Sequence, residues 1–163
     1  MVDTARPFTT FNFKINLRLD SGGEGNNNEL CSATFSDCDG IEMSLEPKTI
    51  REGGNNQRQI HLAGPVSYGQ LTLKRGMTHS FDLWDWFERV QQAPELRASG
   101  EIVILSSDRN SEDVHFDLTG CLPVKLKAPA LSAREGGIAI EEMQIVYETL
   151  KLKRPEQKGA ANA

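Results

Sequence analysis

Residues Gly64 to Val90 read GPVSYGQLTLKRGMTHSFDLWDWFERV, and this stretch changes period partway along. Tyr68, Leu71 and Leu73 stand among Gly69, Gln70, Thr72 and Lys74, an alternation loose at its start and clean at its end, as in a half-buried strand. Lys74, Arg75 and Gly76 read as a tight basic turn that ends it. Apolar spacing then becomes helical: Phe81, Leu83, Trp84, Trp86, Phe87 and Val90 predict a helix over about 80–92, with Ser80 as N-cap and Asp82 set against the positive helix terminus. Both tryptophans fall here. Tyr68, Leu71, Leu73, Leu83, Trp84, Trp86, Phe87 and Val90 are therefore expected to form the centre of the core.

Working outward, Phe11, Phe13, Ile15, Leu17 and Leu19 occupy alternate positions and predict a strand with one wet face. Asp20 to Glu29 is rich in Gly and Asn and reads as an exposed loop. Leu30 to Phe35 and the run Ile41, Met43, Leu45 predict two short strands, the second interrupted by Pro47. Residues 48–64, containing REGGNNQRQ from Arg51 to Gln59, read as a long polar connection, which in a compact domain is functional or disordered. Beyond the helix, the apolar run in 101–105 suits a strand covered on both faces, and 102–106 pairs with 113–119 as a hairpin. Leu122, Val124 and Leu126 form a further strand, placed at an edge or bulge by Pro123. Ile138 and Ile140 lie in one phase and Met143, Ile145 and Tyr147 in the other, which predicts a β-bulge near Glu141. Residues 151–163 are expected to be a mobile polar tail after one domain spanning 1–150. The expected fold is mainly β, an antiparallel barrel or sandwich of seven or eight strands with one flanking helix.

With 163 residues and 38% hydrophobic content, one domain with a full core is expected. A net charge of −5 opposes specific nucleic-acid binding through a basic surface. No apolar run approaches a membrane span, and Cys31, Cys38 and Cys121 suit neither a disulfide framework nor a zinc site, so cytoplasmic synthesis in a reducing compartment is expected. His61, His79 and His115 form no metal or catalytic motif, and Asp108 to Asp113 lacks the glycine of a calcium loop. The expectation is no catalytic residue, no cofactor and no metal. Trp84 and Trp86 admit one other reading, a sugar-stacking platform on a carbohydrate-binding module, against the commoner reading as core.

Three segments together resemble the inner tube proteins of contractile phage tails and related injection systems: SDCDGIEMSLE (Ser36 to Glu46), the run from REGGNN to LTLKRG and LWDW, and GCLPVKLKAPALSA (Gly120 to Ala133) with IAIEEMQIVYETL (Ile138 to Leu150). The resemblance covers about 11–150, with the type VI secretion tube protein a more distant relative in fold. It implies a structural subunit: hexameric rings that stack into a hollow tube inside a sheath, with sheath, baseplate and spike-hub proteins as partners and cargo in the lumen. The finished particle is a phage tail or an injection machine released outside the cell. Leu122 before Pro123 and Tyr147-Glu148-Thr149 depart from the pattern, leaving bulk tube subunit and baseplate-proximal initiator ring both open. A ring must satisfy strand edges between copies. Residues 47–64 are the candidate inter-subunit arm, with Arg51, Glu52, Arg58 and Gln59 making polar contacts, Gly53 and Gly54 allowing close approach, and Asn55 and Asn56 between them. Lys74 and Arg75 are the second candidate, pairing with Glu42, Glu46 or Glu142 of another copy.

Overall fold

The computed structural model describes residues 7–20, 29–54 and 57–154, excluding the side chains of Ser32 and Asp113. Asn55, Asn56, most of the 20–29 loop and the end of the tail therefore lie outside the described residues. Ten strands and one helix are present among them: β1 Phe13–Leu19, β2 Glu29–Ala33, β3 Asp37–Asp39, β4 Met43–Arg51, β5 Gln59–Tyr68, β6 Gln70–Gly76, α1 Asp82–Gln92, β7 Ala98–Leu105, β8 Glu112–Lys127, β9 Ile140–Val146 and β10 Thr149–Lys153.

An antiparallel sheet runs in the order β2-β1-β7-β8-β9-β6-β3, with β10 also paired to β8, while β4 and β5 form a separate two-stranded sheet. The expected mainly antiparallel β fold with one helix is what forms. The buried stripe follows the alternation: Ile15, Leu17 and Leu19 of β1, Leu71 and Leu73 of β6, and Met143 and Ile145 of β9 all face the core. α1 adds Leu83 and Trp86, each 1% exposed, and packs against β8 and β2. A side chain of that size fully removed from water contributes roughly 1.5–3 kcal/mol or more, so the helix is held mainly by this face.

Several expectations are corrected. Phe11 lies before β1 and is 66% exposed. Ser80 does not cap the helix: Phe81 is the N-cap, no side chain closes it, and the helix begins at Asp82, whose Oδ1 accepts from the Leu83 amide at 2.9 Å. The two strands expected at 113–119 and 122–126 are one, β8, passing through Gly120 at a φ of 64° that an L side chain rarely adopts. The irregularity expected at Pro123 is present, as a register shift between Pro123 and Lys125. Lys151, Leu152 and Lys153 belong to β10, paired with Asp117, Phe116 and His115, so the tail begins later than the sequence suggests.

The bulge near Glu141 does not exist. β9 pairs with β6 in unbroken register from Gln70↔Val146 to Gly76↔Ile140, which turns Glu141 inward beside Met143 and leaves Ile138 and Ile140 facing water. The phase break in the sequence marks a buried carboxylate rather than an inserted residue.

Candidate functional site

Residues 48–51 and 59–64 are strand rather than irregular loop. They form most of a hairpin in which Met43 pairs with Tyr68, Leu45 with Val66, Pro47 with Ala63, Lys48 with Leu62, Ile50 with Ile60 and Arg51 with Gln59. Pro47 does not end the strand, because the register shifts between Leu45 and Pro47, and the extra residue falls on β5 at Gly64–Pro65. Gly64 is required there, since a Cβ would overlap the Glu46 carbonyl.

This hairpin is almost wholly uncovered. Every residue of β4 is exposed, and Met43, Leu45, Ile50, Leu62 and Val66 are among the exposed large apolar side chains. Among the described residues from 42 to 67, none belongs to the core cluster or is a hydrophobic side chain packed against it. The pairing sorts these side chains onto two faces. Met43, Leu45, Val66 and Tyr68 share one face near the root, whereas Lys48, Ile50, Ile60 and Leu62 share the opposite face near the tip.

The root is held firmly. Gly40, at a φ of 95°, lies against the Gln70 backbone, and the Gly69 amide donates to the Glu42 carbonyl at 3.0 Å. The Tyr147 hydroxyl lies 2.8 Å from the Gly40 carbonyl and 3.0 Å from that of Glu42, and accepts from the Glu42 amide at 3.1 Å. Its ring packs against Tyr68 with centroids 5.7 Å apart. The hairpin is thus a projection aimed by a fixed base.

Of the polar arm residues, Arg51, Glu52, Gly53 and Gly54 sit at the exposed end of the hairpin with Arg58 and Gln59. The second candidate divides. Lys74 and Arg75 lie within β6 rather than in a turn. Lys74 reaches Glu142 of its own chain at 3.9 Å and keeps 44% of its side chain exposed. Arg75 is only 5% exposed and is withdrawn from any surface role.

Arg75 stands directly opposite Glu141 across β6 and β9. Its Nε donates to Glu141 Oε1 at 2.6 Å, and its Nη atoms reach both oxygens of Asp82, the Ser80 carbonyl at 3.4 Å and Cys31 Sγ at 3.5 Å. All the guanidinium N–H groups are used. Trp84 Nε1 donates to the second Glu141 oxygen at 3.0 Å, and the Phe35 ring lies 5.6 Å from the guanidinium carbon. One cation therefore ties β6, β9, the helix start, β2 and the segment after β2. Leu71, Leu73 and Arg75 keep a single inward phase, the signal that could have placed Arg75 inside. Trp84 is half-buried in this network and Trp86 is 1% exposed, so neither offers a stacking platform.

Burial raises the Asp82 pKa, but the Arg75 hydrogen bonds and charge outweigh it and hold the carboxyl below its ordinary value. A depressed carboxylate stabilises the fold above its unfolded pKa and loses that contribution as pH falls through the folded one. Glu101 is held low chiefly by its hydrogen bond from His115, at 2.8 Å, and acts in the same direction. Stability measured by urea titration should be level from pH 7 to about 5 and fall below pH 4, with Asp82→Asn flattening part of the fall. A curve unchanged by that substitution would contradict the assignment. Cys31, Cys38 and Cys121 are free thiols, and burial pushes each up to about 12, so they remain protonated. Among the described residues no group of three or more His, Cys, Asp or Glu side chains is placed to hold a metal ion, and no helix is long and apolar enough to cross a membrane.

The described residues thus form an antiparallel β domain from which a firmly rooted hairpin projects uncovered. The chain belongs to the T4-like virus tail tube protein gp19 family, whose model matches residues 9–151. The family is one of structural tail tube proteins, components of a phage tail or contractile injection particle. Similar solved structures include a chain of the anti-feeding prophage baseplate, 6-fold symmetrised, at 24% identity and a TM-score of 0.79, covering 92% of this chain and 97% of that one. A chain of the sheath-tube complex of an extracellular contractile injection system, PVC, in its extended state is 16% identical with a TM-score of 0.77 over 93% and 95% of the two chains. A type six secretion system protein shares the fold more distantly, at 9% identity and a TM-score of 0.50 over 93% and 90%. A search of curated proteins returns no match.

Proposed function

We propose that this protein is the ring-forming subunit of the hollow inner tube of a contractile injection system or phage tail. Six copies close a ring, rings stack, and contraction of a surrounding sheath drives the tube through a target envelope with cargo in its lumen. The observation that carries this reading is the β4–β5 hairpin. A two-stranded hairpin alone in water is marginal at best, and this one exposes five large apolar side chains on a base that cannot fold back over them. Neighbouring copies supply the cover, with Arg51, Glu52, Arg58 and Gln59 contributing polar contacts at the rim. Six-fold symmetry is supported by the anti-feeding prophage baseplate, and the sheath partner by the PVC sheath-tube complex.

A second reading, the baseplate-proximal ring that joins a spike or hub to the tube, is favoured by the higher identity to the baseplate chain, 24% against 16%. Negative-stain microscopy of the concentrated protein separates the two. Stacked rings or long hollow tubes are the expected result. Isolated rings, or rings formed only with a partner, would support the initiator, and monomers at every concentration, with baseplate partners present as well as absent, would overturn both.

A further inference from the structure

A groove of about 520 Å³ opens at one end of the core, between the segment before β1 and the region of β3. Its apolar walls include Phe8, Phe11, Phe13, Ile41, Ile104 and Phe116, with Asp37 at its rim. Phe8 is 57% exposed and Phe11 66%, a large apolar area to leave in water. The groove is preformed. Asn12, 4% exposed between Phe11 and Phe13, donates from Nδ2 to the Ser106 carbonyl at 3.3 Å and accepts from Arg109 Nε at 3.1 Å, which pins the wall.

The same chain carries a projection of matching character. On the tip face of the hairpin, Ile50 and Leu62 are 46% and 45% exposed with Ile60 between them, and Lys48 lies on the same face. Arg51 and Arg58 stand at its end with Glu52, so that with Lys48 the tip is net positive, whereas Asp37 lines the groove. The charge signs are complementary. A strand of nine residues places the tip about 26 Å from the root, and the groove lies near the root, so the tip cannot reach its own groove.

We propose that the hairpin tip of one copy, through Ile50, Ile60 and Leu62, docks in the Phe8–Phe11–Ile104 groove of another copy. This rests on the assembly reading above and specifies its contact. Knob and groove are different surfaces of one chain, so the contact is head-to-tail, the kind that closes into rings or continues as stacks. Lys48 and the tip arginines meet the Asp37 carboxylate at the groove.

Two variants that each add one cysteine, Ile50→Cys and Phe11→Cys, both with Cys38→Ala because the native Cys38 thiol lines the groove, test this. Both alter exposed side chains outside the buried core, and the remaining native thiols, Cys31 and Cys121, are buried. Mixed in equal amounts, assembled and oxidised with copper phenanthroline, they should give a disulfide-linked dimer containing one of each, several-fold above either variant alone. Rings seen by microscopy without that mixed dimer overturn the docking and leave the tube reading standing. Phe11→Cys linking only to itself would set groove against groove and overturn it too, while absence of any assembly of the unmodified protein would overturn both readings. A second pair of variants separates the two hairpin faces. Ile60→Asp should raise the concentration needed for assembly at least tenfold, since about one buried aliphatic side chain is lost and a carboxylate replaces it, whereas His61→Asp on the opposite face should change it less than threefold. Equal effects from the two would sink the proposed face.

Discussion

Arg75→Ala is expected to lower folding stability by about 3–5 kcal/mol, because it leaves the Glu141 carboxylate, 1% exposed, without the cation that faces it. Trp84 Nε1 would still donate one hydrogen bond, but a single neutral donor does not balance a charge removed from water. The loss is comparable to the whole stability of a marginal domain, usually about 5–15 kcal/mol, so the variant should unfold at low urea or fail to accumulate. Removing both charges gives a different result. Arg75→Met with Glu141→Leu fills the same space with apolar atoms and should recover most of the loss, since the desolvation cost of the pair disappears together with its attraction. Urea titrations of the four proteins make the comparison, with the coupling read from the double-mutant cycle. If Arg75→Ala cost less than about 1 kcal/mol, the network would not be structural, and the residue would return as an interface candidate.

That network also shows where the sequence was hard to read. Alternation was legible wherever one face of a strand meets the core and the other meets water, as in Phe13 to Leu19 and in Leu71 and Leu73. Arg75 and Glu141 keep the inward phase of their strands while carrying charge. A reading that places charges outside therefore turns Lys74, Arg75 and Gly76 out of β6 and predicts a bulge in β9 that is not there. The cue was their shared phase, visible only when the two strands are laid side by side.

The hairpin beyond Leu45 does not read as strands, for a different physical cause. Neither face is buried within the chain, so no inside-outside pattern is imposed, and the extra residue at Gly64–Pro65 breaks whatever alternation remains. Its importance was still legible as a long polar insertion that a compact domain does not need. Gly120 misled in the opposite direction: a left-handed glycine reads as a strand end, yet β8 continues through it because the position bends the strand from one set of partners, β7 and β10, to another, β9.

Truncating the hairpin should abolish assembly and spare the fold. Replacing residues 46–65 by Asn-Gly would let a type I′ turn join Leu45 to Val66, which already face each other across the strands. The root contacts of Gly40, Glu42 and Tyr147 remain, and none of the described residues among those deleted belongs to the core cluster or its packed apolar neighbours. Melting temperature should therefore change by no more than about 3 °C, the scale of an effect below 1 kcal/mol in a domain of this size. Assembly should respond far more strongly. The truncation removes Ile50, Ile60, Leu62 and the polar tip at once, and the loss of two such buried aliphatic contacts already raises the assembly concentration by roughly a hundredfold. Sedimentation velocity at concentrations where the full chain forms rings should then find only monomer with unchanged circular dichroism. Rings of normal size from the truncated chain would show that the hairpin is dispensable to the tube. A chain that no longer folds would show that it belongs to the domain it appears only to project from.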